Sequence, residues 1–194
     1  MQALFLVPGK NADAVKDIVG VGNNSVSKRT FVTRTAKDIG LSGDKFYFML
    51  LLRPNDKAYE LLKSLLSKVA NEESVEERTR IRDAYNKSLG EDDDPLKGDV
   101  AVWELTNVDK ARNVLGIGTE SIERQTIIFK DATQFGYEKG QVLLIDGADG
   151  ACALARELLT GLVEEVTGAK KDEIIKKIYD EEQKAFEGFG GIFG

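Results

Sequence analysis

Three sets of residues have the types and spacing to do chemistry. The first is a pair of Gly-x-Gly steps, Gly20-Val21-Gly22 and Gly116-Ile117-Gly118. Backbone N–H groups at such a turn can cradle a phosphate. A dinucleotide fingerprint, however, places its glycines after a strand and at the start of a helix. Here they follow a helical pattern and precede a strand pattern, which predicts a helix C-cap and a tight turn. The second set is Asp146-Gly147-Ala148-Asp149-Gly150, between a strand pattern and a helix pattern. Two carboxylates at this spacing can ligate Mg²⁺ or Ca²⁺. Asp149 as a helix N-cap is the simpler reading, as for Asn55 or Asp56 at Arg53-Pro54-Asn55-Asp56. The third set is basic: Lys28, Arg29 and Arg34, with Arg124 and Lys130 farther along. Alternation puts Lys28, Thr30, Val32 and Arg34 on one strand face, with Phe46, Tyr47 and Phe48 on the next strand. A basic sheet face beside aromatics suits single-stranded nucleic acid. It also suits a solvated face whose charges blunt an edge.

Composition narrows these options. Histidine is absent and Cys152 is the one cysteine. The commonest general base near neutral pH is therefore missing, as are the usual ligands of zinc, copper and haem. Cys152 has no imidazole to activate it and reads as a small buried hydrophobe. No catalytic residue, metal site or cofactor is expected, and the balance leans away from an enzyme. The chain carries 27 Lys/Arg against 33 Asp/Glu, a net charge of −6. That acidic total argues against general binding to duplex nucleic acid. Residues 1–97 balance at +1 and residues 98–194 at −7, so a local basic groove in the first half stays possible. No apolar run approaches the roughly 18–20 residues that span a bilayer. The N-terminus lacks the basic and long apolar regions of a signal peptide, and a lone cysteine does not mark an oxidising compartment. A cytoplasmic location is expected.

The elements that must position these residues repeat. Shifted by 96 residues, Gly20 falls on Gly116 and Gly22 on Gly118. Across Gly20 to Gly40 six pairs are identical and seven more are conservative, among them Val26/Ile122, Lys28/Arg124 and Arg34/Lys130. At an offset of 97, Ala58-Tyr59-Glu60-Leu61-Leu62 falls on Ala155-Arg156-Glu157-Leu158-Leu159, and the match continues through Leu65/Leu162 and Val69/Val166. A repeat of this length is a duplicated domain or half-domain, not a solenoid unit.

In the first copy, strands are expected over 3–7, 27–35 and 45–53, with helices over 12–19 and from Pro54 onward. In the second, strands are expected over 100–105, 123–130 and 141–145, with helices over 108–115 and 149–166. Each copy is then βαββα, and the fold is α+β: ferredoxin-like-type sandwich halves with pseudo-twofold symmetry and an antiparallel-leaning sheet. Each helix has one apolar stripe, so the helices are expected to cover one face of the sheet, with Leu61, Leu62, Leu65, Leu158, Leu159 and Leu162 in the core. Such halves commonly join sheets edge to edge or pack by their faces. Further helices are expected over 74–87 and 172–186. The chain divides into a first copy (1–90), an acidic linker (91–98), a second copy (99–186) and a Gly/Phe tail (187–194). Phe186, Phe189, Ile192 and Phe193 give that tail the side chains to dock on a protein partner or another copy of the chain.

The segment Gly136-Tyr137-Glu138-Lys139-Gly140, followed by Asp146-Gly147-Ala148-Asp149-Gly150-Ala151, resembles a strand–helix passage of bacterial microcompartment shell domains. That family has a tandem-duplicated subclass. The first copy lacks these letters, and the first helix is short for that family. The resemblance implies an assembly role. The expectation is therefore a non-catalytic interaction or assembly protein. The alternatives are a single-stranded nucleic-acid binder using the basic strand, and a small-ligand or phosphate-binding enzyme using Gly20/Gly22 or Asp146/Asp149. No membrane partner is expected.

Overall fold

A computed structural model describes residues 1–90 and 93–190. Short apolar runs bounded by glycine and polar turns become strands, as β propensity and period dictate. They are β1 (Gln2–Val7), β2 (Phe31–Thr35), β3 (Phe46–Leu51), β4 (Ala70–Glu72), β5 (Val100–Leu105), β6 (Thr126–Asp131), β7 (Gln141–Asp146) and β8 (Glu164–Glu165). The helices are α1 (Ala12–Ile18), α2 (Lys57–Leu66), α3 (Val75–Ser88), α4 (Val108–Val114), α5 (Asp149–Leu158) and α6 (Gly168–Gly190). The strands form two four-stranded antiparallel sheets, ordered β6-β7-β1-β8 and β2-β3-β5-β4. The fold is α+β, and among the described residues no helix is long and apolar enough to cross a membrane.

The sheets do not follow chain order. β1 pairs with β7 and β8, and β5 pairs with β3 and β4. Put β1 against β5, β2 against β6, β3 against β7 and β4 against β8, and both sheets have one order. Their hydrogen bonds match as well. Leu52 N donates to Asp99 O at 2.9 Å where Gly147 N donates to Met1 O at 3.0 Å. Glu73 N donates to Val102 O at 2.8 Å where Val166 N donates to Leu4 O at 2.8 Å. β1 thus lies among strands from residues 126–165, and β5 among strands from residues 31–72. The compact units follow the sheets: residues 1–15 with 125–194, and residues 16–124.

Within the unit 16–124, all four central residues of β3, Tyr47 to Leu50, are buried, so both faces of its sheet are covered. Tyr47, Met49, Val100 and Val102 cluster with Ile81 and Tyr85 of α3. On the alternate side Phe48 stacks on Trp103 at 5.7 Å, and Trp103 meets Tyr59 of α2 at 5.9 Å. The expectation of one covered face is corrected: α2 and α3 each carry one stripe, and they lie on opposite faces. The α2 stripe is Ala58, Leu62 and Leu66, while Leu61 and Leu65 are half-buried flanks. Each fully buried Leu contributes about 1.5–3 kcal/mol.

In the other unit, Leu4, Val142 and Leu144 cluster with Ile174, Ile175 and Ile178 of α6. Ala3, Phe5, Leu143 and Ile145, on the alternate side, are buried too. α5 packs on β1 with Ala151, Cys152, Ala155 and Leu159 buried, while Leu158 and Leu162 are half-buried. The expected helix over 149–166 is two elements: α5 ends at Leu158, and residues 164–165 form β8 against β1. β4 likewise follows α2 and was absent from the expected pattern, because strands of two or three residues leave no periodicity to read.

Candidate functional site

The two Gly-x-Gly steps lie in the unit 16–124 and are built alike. At the first, Val21 N and Gly22 N both donate to Lys16 O, at 3.0 and 2.8 Å. At the second, Ile117 N and Gly118 N both donate to Arg112 O, at 3.0 and 2.8 Å. Gly20 (φ 93°) and Gly116 (φ 81°) reverse the chain in the left-handed region, which L side chains resist. These N–H groups close helix ends and are not free to cradle a phosphate, as the C-cap reading expects. Gly22 is needed for a second reason: a Cβ there would lie 2.5 Å from Asp17 N. At Gly118 it would lie 2.8 Å from Asn113 N.

Asp17 and Asn113 then tie down the next turn. Asp17 accepts from Asn24 N and Asn24 Nδ2, both at 2.9 Å. Asn113 Oδ1 accepts from Glu120 N at 3.2 Å. Ser25 and Ser121 are fully buried, and their hydroxyls donate to Asp17 O at 3.0 Å and Gly118 O at 2.6 Å. Glu123 closes the arrangement. Its side chain lies directly over both Gly20 and Gly116, where a Cβ on either would collide with it. Burial raises the Glu123 carboxyl above its usual range, and the hydrogen bond from Ser27 and the charge of Arg124 only partly oppose that. Nothing in the sequence reading singled out Asp17, Asn113 or Glu123. The signal for the first two was a short polar residue five positions before the second glycine of each step.

The five basic residues sit on or beside different elements. Lys28 and Arg124 sit on 3-10 turns that precede β2 and β6, not on the strands. Lys28 Nζ donates to Val21 O at 3.2 Å. Arg29 is buried in an ion pair with Asp56, the side chains only 6% and 4% exposed, and its Nη2 reaches Leu51 O at 3.0 Å. Burial alone would raise the Asp56 carboxyl. The hydrogen bonds from Arg29 and from the Arg53 and Tyr59 N–H groups outweigh that and hold it below its usual range. Arg34 lies over the Tyr85 ring at 5.6 Å. Lys130 pairs with Glu182 at 2.7 Å and Glu181 at 3.9 Å. Gln125, the counterpart of Arg29, also holds the start of a helix: its Oε1 accepts from Ala148 N at 2.9 Å.

Asp146 and Asp149 diverge. Asp146 accepts from Gln2 Nε2 at 2.8 Å and from Tyr179 Oη at 2.5 Å. Asp149 is exposed and pairs with the N-terminal ammonium at 3.3 Å. Ala148 occupies the N-cap of α5, with no side-chain cap, whereas Asp56 caps α2 through Ala58 N and Tyr59 N. No group of three or more metal-ligating side chains occurs among the described residues. Cys152 is buried, and burial pushes its thiol up, away from nucleophilic thiolate. Phe186 and Phe189 fall within the α6 span, and Ile192 and Phe193 lie outside the described residues. No family model matches the chain, and neither the curated proteins nor the solved structures gave a match.

Proposed function

We propose that this chain is a non-catalytic interaction protein made of two duplicated, ferredoxin-like halves that exchange their first strands, and that it assembles through the far end of α6. The observation that carries this reading is the length of α6. It runs for 23 residues, yet among its described side chains those buried are Ile174, Ile175 and Ile178. Beyond Ile178 the helix continues through residues 179–190 with Tyr179 exposed. A helix of 23 residues is about 34 Å long at 1.5 Å per residue. That exceeds the ~20 Å a six-residue strand offers beneath it. β6 adds a second surface. Among the described residues it stands at the edge of its sheet, paired with β7, and an edge strand is a common place for a further chain to add. The matched hydrogen bonds of the two sheets support the duplication.

Light scattering on the full chain and on a chain ending at Lys184 tests assembly. The full chain is expected above its 21.3 kDa monomer mass, and the truncated chain at the monomer mass. Monomers in both samples, with and without cell extract, would defeat the reading. The single-stranded nucleic-acid reading has less support, since Arg29, Arg34 and Lys130 are engaged within the fold.

A further inference from the structure

The two Gly-x-Gly turns share a backbone and differ in what their charged side chains do. At the first turn the charges are satisfied locally. Asp17 holds Asn24 through both carboxylate oxygens, and Lys28 caps the Val21 carbonyl. The matched positions of the second turn, Asn113 and Arg124, take other roles: Asn113 accepts from the Glu120 N–H, and the charge of Arg124 acts on the Glu123 carboxyl. A cavity of about 490 Å³ opens there, lined by Asp109, Arg112, Asn113, Thr119, Glu120 and Arg124, with Ile117 and Gly118 completing it. Its volume lies in the range of small-molecule sites, roughly 300–1,000 Å³.

Two cations and two anions share this cavity. Among the described residues no side-chain hydrogen bond or ion pair joins these four to one another, and the charge of Arg124 also acts on the Glu123 carboxyl beside the turn. Asp109 and Arg112 are three apart on α4, a spacing at which helical ion pairs form readily. Balanced charge of this kind does not suit a phosphate or nucleotide, which the two carboxylates would repel. It suits a ligand that itself carries both signs. We infer that the cavity binds a free α-amino acid. The guanidinium groups of Arg112 and Arg124 take its carboxylate, for which their planar fork is shaped. Asp109 and Glu120 take its ammonium, and Ile117 supplies the apolar contact for a side chain.

Isothermal titration of the full chain tests this with L-glutamate, L-arginine, L-leucine and glycine. Succinate, putrescine and inorganic phosphate serve as single-sign probes. Saturable binding of at least one amino acid is expected, with the single-sign probes weaker. Arg112→Ala and Arg124→Ala should each weaken it by at least about tenfold, the loss of one charged hydrogen-bonded partner. Both residues are exposed, so the variants keep the fold, which circular dichroism verifies. Lys28→Ala at the first turn should leave affinity unchanged. The inference is overturned if no amino acid binds, if binding survives in the Arg112/Arg124 double variant, or if phosphate binds more tightly than every amino acid.

Discussion

The first and second Gly-x-Gly turns are the same object in the main chain and different objects in their side chains. Both end a seven-residue helix with two N–H groups on one carbonyl, and both set a glycine against a polar residue of the last turn. What differs is the ring of charge: closed on itself by Asp17, Asn24 and Lys28 in one, and open around a cavity in the other. Backbone geometry is held by steric requirements that few substitutions meet, while solvent-facing side chains are free to diverge. The same contrast recurs where β3 and β7 hand over to α2 and α5. Arg29 holds its helix start through a buried ion pair, whereas Gln125 accepts a neutral hydrogen bond from Ala148 N.

That second contrast gives the largest expected effect. Arg29→Ala leaves the Asp56 carboxylate buried without its cation, at a cost of about 3–5 kcal/mol. Gln125→Ala removes the hydrogen bond to Ala148 N together with the other contacts of that side chain, and should cost less, about 1–2 kcal/mol. Urea unfolding curves of the two variants measure the gap. Equal losses would show that Asp56 is held by the Arg53, Ala58 and Tyr59 N–H groups alone, and that the two hand-overs are energetically one device.

The glycine turns themselves predict equality. Gly22→Ala and Gly118→Ala each drive a Cβ into main-chain atoms of Asp17 or Asn113. Each should cost about 1–3 kcal/mol, as overpacking does. Gly9→Ala, where nothing lies within 4 Å and φ is ordinary, is the control and should be near neutral. Thermal melts of the three variants decide it. A Gly118 variant as stable as the Gly9 variant would break the likeness of the two turns.

How far the sequence leads is clear from particular residues. The α+β class, the order of the larger elements and the capping role of both glycine steps were legible, because glycine, turn residues and alternating apolar runs mark them directly. The pairing of β1 with β7 and of β5 with β3 was not. Leu4, Phe5, Val102 and Trp103 carry no mark of which hairpin they pair beside, since any apolar strand fits a buried slot. The alignment of the long helices also misleads. Sequence identity sets Ala58 against Ala155, but the stripes Ala58, Leu62, Leu66 and Ala151, Ala155, Leu159 occupy matching buried positions. The slip is one helical turn, and residues four apart share a face, so a sequence comparison scores both registers well. The charged cavity was invisible because it depends on which side chains fail to pair. Lys28 and Arg124 are a conservative match in sequence yet behave differently in space.

Glu123 belongs to both turns at once, and its titration is the finest test of their likeness. Its carboxyl is raised by burial over Gly20 and Gly116. A carboxyl whose folded pKa exceeds its usual 4.5 ionises at greater cost in the folded chain than in the unfolded one. The folded protein therefore carries a penalty at neutral pH, which fades as pH falls through the folded pKa and is gone near 4.5. Glu123→Gln keeps an acceptor for Ser27 and cannot ionise. It should raise the melting temperature at pH 7 by a small amount, with the gain shrinking to nothing as pH approaches the usual glutamate value. Asp56 acts with the opposite sign. Its lowered carboxyl contributes stability above its usual 3.8, and that is lost only as pH falls below this value. The two windows do not overlap, so a melting series from pH 7 to pH 3 separates them. A Glu123→Gln variant that is less stable than the parent at pH 7 would mean that the ionised carboxylate holds the two turns together and that its hydrogen bond from Ser27 outweighs its burial.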